Sequence, residues 1–196
     1  MLTDPITKLH AAMRSRPALI VHFSGVPKGT GHPMQYPGDL AKALADTQEI
    51  LCCSTIEPGD LARRPPAATG SVGVVVGPID EASIIFVHHD DVGSSPSTAE
   101  RRKRDRRTTV ADCVRSFTRD GVLPYNEWLV GPYRVIGLFV ACEAQVQVAG
   151  KYCDVDPDDV LAVLGDWRVF SDMRDGFVER DGNGNWQALD ISSVYP

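Results

Sequence analysis

The chain has 196 residues, 43% hydrophobic and 23% charged, enough for one sizeable core and too short for two comfortable ones. Its formal net charge of −6 excludes a general binder of nucleic acid that works by covering phosphates, while leaving room for a local basic patch. No apolar run approaches the ~18 residues of a membrane span, so no membrane partner is expected.

The start, Met1-Leu2-Thr3-Asp4-Pro5, lacks the charged opening and apolar centre of a signal peptide. Cys52, Cys53, Cys113, Cys142 and Cys153 are odd in number and form no C-x-x-C pair, which reads as reduced thiols. The expectation is a cytoplasmic protein, or an effector secreted without a cleaved signal peptide.

In chain order, residues 4–16 predict an amphipathic helix, with Asp4 as cap, Pro5 at the first helical position and Ile6, Leu9, Ala12 and Met13 on one face. Ala18 to Phe23 reads as a buried strand. Residues 24–38 are dense in Gly and Pro and predict a loop, the kind of long loop that is usually functional or mobile. Gly38 to Ala45 predicts a second helix and Glu49 to Ile56 a second strand. After a Pro/Ala-rich loop from Arg63 to Ser71, the runs Val72 to Val76 and Ser83 to Val87 predict a hairpin turning at Gly77-Pro78-Ile79-Asp80.

Residues 93–107 are the sharpest break in composition, a Ser/Pro stretch followed by Arg101-Arg102-Lys103-Arg104-Asp105-Arg106-Arg107. Thr109 to Arg119 is helical by pattern, with Val110, Cys113, Val114 and Phe117 on one face and Gly121 as its stop. Pro124-Tyr125-Asn126-Glu127-Trp128-Leu129-Val130 then predicts a strand, Gly131-Pro132 a tight turn, and Arg134 to Val148 another strand. Asp154 to Asp159 opens a short helix through Leu164, its acids suited to a helix N-terminus. Gly176 to Arg180 and Asn185 to Ile191 form a hairpin about Asp181-Gly182-Asn183-Gly184. Together these elements predict an α+β chain, two packed antiparallel-rich β-sheets with peripheral helices, in a single domain over 1–196 with a flexible basic loop near 93–107.

Three of the apolar strands carry polar residues of chemically suggestive type: His22 on the first, Ser54-Thr55 on the second, and Glu127 on the third. Glu127 stands among Tyr, Trp, Leu and Val, where a carboxylate is either an edge residue guarding against aggregation or a group placed for chemistry. A histidine at a strand end and a Ser-Thr pair after a strand also have ordinary structural uses. The order of the three resembles the ADP-ribosyltransferase superfamily, in which an Arg or His on one strand, a Ser-Thr-Ser or Tyr on the next and a late Glu grip NAD.

The resemblance implies an ADP-ribosyltransferase-like fold and NAD as co-substrate. It implies Glu127 as the catalytic carboxylate facing the charge that builds on the ribose, and His22, Ser54 and Thr55 as cofactor-binding residues, the Ser-Thr pair also bracing the strand and the carboxylate. Tyr36 could stack on nicotinamide. The middle motif here is Ser54-Thr55-Ile56, without a third hydroxyl, and Tyr125 stands where members that modify arginine carry Gln or Glu. A base of nucleic acid, another side chain or a small molecule is therefore the implied acceptor, and hydrolysis of NAD without transfer would use the same residues. The basic run Arg101 to Arg107 precedes Glu127 by about twenty residues, in the region that often helps such enzymes choose a target, and would suit an anionic one. A toxin or effector role would fit this chemistry.

Two other arrangements compete. Cys52 or Cys53 could be a nucleophile with His88 or His89 as base and Asp90 as orienting acid, a cysteine hydrolase. Without catalysis, the chain would be a protein-binding or immunity-type module acting through its loops. No metal site is expected: His88 and His89 point to opposite faces of a strand, and no distant His or Cys pair completes a set with Asp90 and Asp91. In the Asp181-Gly182-Asn183-Gly184-Asn185 turn, Ser192 stands where a calcium loop needs a bidentate Glu.

Overall fold

The computed structural model describes residues 5–24, 36–63, 72–88, 111, 113, 116, 126–142, 144–148, 151–173 and 175–196. Helix α1 (Pro5–Ser15) begins at its predicted proline and buries Leu9, His10 and Met13. Strand β1 (Leu19–Ser24) follows, then α2 (Gly38–Ala45), β2 (Leu51–Ile56), α3 (Asp60–Arg63), β3 (Val72–Pro78) and β4 (Ile84–His88). After residues 111, 113 and 116, which are helical, come β5 (Glu127–Val130), β6 (Tyr133–Val140), β7 (Gln145–Val148), β8 (Lys151–Asp154), α4 (Pro157–Leu164), β9 (Val169–Met173), β10 (Gly176–Arg180) and β11 (Trp186–Ala188).

A mixed α/β protein results, in which the described residues build one large, mostly antiparallel sheet of nine strands in the order β11-β10-β9-β6-β3-β1-β2-β5-β4. The expected two packed sheets are corrected to this sheet and a separate two-stranded β7–β8 ribbon. The cause lies in β6, which pairs antiparallel with β3 on one side and parallel with β9 on the other. The C-terminal strands thus extend the first sheet instead of stacking on it. The single expected strand over Arg134 to Val148 divides after Val140. There the apolar run gives way to the polar–apolar alternation of Gln145-Val146-Gln147-Val148, and this segment pairs with β8.

The expected β3–β4 hairpin is also corrected. Every position of β3 is buried, so β3 takes a central place between β1 and β6, and β4 ends at the sheet edge beside β5. Between them Asp80 caps a 3-10 turn, its side chain accepting from the Ser83 amide while the Ser83 hydroxyl accepts from the Asp80 amide. The C-terminal hairpin of β10 and β11 forms as read. Helix α4 opens with a reciprocal cap, the Asp156 carboxylate taking the Asp158 and Asp159 amides.

Two local devices hold the centre of the sheet. Gly73 stands in register between Phe23 and Phe139, and a Cβ there would lie 2.6 Å from a Val21 methyl. The two rings meet edge to face over it, with centroids 5.7 Å apart. At the other end of β1, the buried Tyr195 hydroxyl accepts from the Ile20 amide at 2.9 Å and donates to the Val76 carbonyl at 3.4 Å, standing as a rung between β1 and β3. Among the described residues no helix is long and apolar enough to cross a membrane.

Candidate functional site

The three strands singled out in the sequence are neighbours in the sheet, in the order β1-β2-β5. Side chains matched across neighbouring strands share a face, and successive ones alternate. Val21 pairs with Ser54, and Cys53 pairs with Trp128. Ser54 and Val21 therefore lie on one face with Glu127, the neighbour of Trp128. Cys53, Trp128 and His22 lie on the other. The expected quartet is split: Ser54 and Glu127 come together, whereas His22 and Thr55 belong to the opposite face.

On the His22 face the residues are closely packed. His22 is 6% exposed, and its Nδ1–H donates to the Cys52 carbonyl at 2.8 Å, which places the proton on that nitrogen. Burial holds the imidazole below its ordinary pKa, against the upward pull of the Cys52 bond and of the Asp39 and Glu49 carboxylates. The ring is a neutral clip between β1 and β2. Two residues on, the Ser24 hydroxyl donates to Asp39 at the start of α2 at 2.6 Å, so α2 covers this face. Tyr36, just before α2, is half-buried, and its phenol is raised by burial and by Asp159 of α4. Cys53 is buried, and its thiol is pushed well above its ordinary value by burial and by the neighbouring Cys52. It is an unreactive packing residue.

A residue that the sequence reading quoted without a role joins β2 to β5. Asn126 accepts the Thr55 amide on Oδ1 at 2.7 Å, donates from Nδ2 to the Thr55 hydroxyl and to the Ser116 carbonyl, and accepts the Ser54 hydroxyl on its own carbonyl at 2.9 Å. The Ser116 hydroxyl accepts the Trp128 indole N–H at 2.8 Å and donates to the Cys113 carbonyl at 2.7 Å. Ser54 and Thr55 thus tie β2 to the backbone immediately before Glu127. An asparagine beside a candidate catalytic acid, at the mouth of an apolar strand, was the available signal.

Glu127 itself is 2% exposed at the first position of β5, in register with His88 of β4. Burial of a carboxyl is tolerated only where polar groups meet it. Around it the face opens: Ser54, Leu129 and Phe23 are half-buried and Cys52 is exposed. Known family models, characterised proteins and solved structures return no match to this chain. The reading of the site therefore rests on its own geometry. His89, Asp90, Asp91 and the basic run Arg101 to Arg107 lie outside the described residues, as does Tyr125. Among the described residues no group of three or more His, Cys, Asp or Glu side chains is placed to hold a metal ion.

Proposed function

We propose that the protein is an NAD-consuming enzyme of the ADP-ribosyltransferase type, with Glu127 as its catalytic carboxylate. The observation that carries this reading is a buried acid beside Ser54 on a partly open sheet face, on a strand pinned by Asn126. Cleavage breaks the bond between the ribose carbon and the nicotinamide nitrogen. Nicotinamide leaves with the electron pair, and water or a target nucleophile adds to the ribose carbon. A fixed carboxylate answers the positive charge that builds on the ribose, an effect worth about 10²–10³ in rate for one preorganised group. Phe23 and Leu129 offer the flat apolar surface a nicotinamide ring needs. His22 is here a structural clip and not a cofactor contact, and an anionic target would meet the chain through Arg101 to Arg107.

The test is calorimetric titration of NAD into the wild type and Glu127→Gln, with nicotinamide release followed in the same samples. Binding by both, with release reduced about 10²–10³-fold in the variant, is the expected result. Absence of NAD binding by the folded wild type overturns the proposal.

Exposed Cys52, on the same face as Glu127, favours a second reading, a cysteine hydrolase with Cys52 as nucleophile. Cys52→Ala separates the two. It leaves NAD cleavage unchanged under the first reading and abolishes hydrolysis under the second.

A further inference from the structure

A cleft of about 670 Å³ lies between α4 and the β10–β11 turn, within the ~300–1,000 Å³ range of small-molecule sites. It belongs to a different part of the molecule from Glu127. Its wall includes β9, five inter-strand steps from β5, or roughly 24 Å at about 4.8 Å per step.

Of the six charged side chains that line it, all but the exposed Asp166 are engaged by partners among the described residues. Arg168 grips Glu179 with two parallel bonds, Nε to Oε1 at 2.6 Å and Nη2 to Oε2 at 2.8 Å. Arg180 grips Asp158 in the same way, at 2.6 and 2.9 Å. Both oxygens of Asp181 are engaged, one by the Asn183 and Asn185 amides and the other by the Gln187 amide group. An anion entering the cleft would have to compete with carboxylates already seated on both guanidinium groups. A metal ion would need a convergent set of donors, and none exists among the described residues.

Arg168 also donates to the Ser193 carbonyl and hydroxyl, and Arg180 to the Gly184 carbonyl, so the walls offer chiefly carboxylate lone pairs with a few remaining N–H groups. Beside them stands the half-buried Trp167, whose indole N–H is committed to the Leu164 carbonyl at 3.1 Å and which therefore presents carbon surface. A ligand rich in hydroxyls, each both donor and acceptor, and with an apolar C–H face matches this lining. We propose that the cleft is a binding site for a neutral saccharide, held on Trp167 and on the edges of the Arg168–Glu179 and Arg180–Asp158 pairs.

The test titrates the full chain with maltotriose, cellobiose and N,N′-diacetylchitobiose, each to about 10 mM, which registers a Kd of about 1 mM. Binding of at least one sugar is expected, weakened about tenfold or more by Trp167→Ala and unchanged by Glu127→Gln. Asn183→Ala, on the exposed turn, supplies a second variant that weakens binding should Trp167→Ala lose its fold by circular dichroism. The proposal is overturned if the folded wild type binds none of the three sugars. It is equally overturned if binding is insensitive to the cleft variants, or if inorganic phosphate or calcium occupies the cleft in their place.

Discussion

The two faces of the β1-β2-β5 strands differ more than their sequences suggest. One carries His22, Cys53 and Trp128, lies under α2 and the helical residues at 113 and 116, and seats the His22 and Trp128 ring N–H groups on oxygens of neighbouring segments. The other carries Cys52, Ser54 and Glu127 and is partly open. Adjacent residues, Cys52 and Cys53 or Glu127 and Trp128, thus serve opposite ends. Residue type nominates a group for chemistry, but strand alternation decides whether it can meet a substrate.

That contrast breaks first, and most completely, on the two cysteines. Under native conditions an alkylating reagent should modify Cys52 and leave Cys53 intact until the protein unfolds, as peptide mass spectrometry will show. Equal labelling of both would mean that the faces are assigned wrongly.

Asn126→Ala comes next. It strands the Thr55 amide and hydroxyl and the Ser116 carbonyl in a buried seam, and should cost about 3 kcal/mol in urea unfolding. A loss below about 1 kcal/mol would mean that the seam relaxes or fills with water.

His22→Gln sharpens the comparison through pH. Because the folded imidazole is held below its ordinary pKa of 6.5, wild-type stability is full above that value and declines as the pH falls below it. The variant should lose this acid-side dependence, and under the proposed NAD chemistry it should keep the wild-type turnover per folded molecule. A turnover collapse with intact folding would restore His22 as a cofactor contact.

The smallest effect belongs to Tyr133, whose hydroxyl donates to the Ala43 and Asp46 carbonyls. Burial pushes this phenol from 10.0 up to about 12. The stabilisation is complete below pH 10.0 and is lost as the pH rises through about 12. Tyr133→Phe should cost about 1 kcal/mol near neutrality and flatten that alkaline decline in thermal unfolding.

Much of the local structure was legible in the sequence. Pro5, the Asp156-Pro157 pair and the Asp181-Gly182-Asn183-Gly184 turn each impose a local geometry, and their elements formed where they were read. Pairing was harder. Val72 to Val76 looks the same whether it turns back on Ser83 to Val87 or inserts between β1 and β6, because an all-apolar strand carries no record of its partners. The site suffered likewise. The neighbourhood of Ser54 and Glu127 depends on β2 and β5 lying side by side, and the separation of His22 depends on a one-residue offset in register. The cleft beside Trp167 went unread because its lining comes from segments that are each unremarkable as sequence.

Tyr195 closes the β1–β3 ladder from a position 175 residues beyond Ile20. During synthesis this rung at the centre of the sheet must therefore wait until Tyr195 has left the ribosome. Until then β3, apolar on both faces, and the Leu19-Ile20-Val21 part of β1 depend on other cover, a long-range dependence that slows folding and lengthens exposure to aggregation. Loss of Tyr195 would leave the Ile20 amide and the Val76 carbonyl without the hydroxyl that spans them, a defect at the centre of the sheet caused by a residue far from it in sequence.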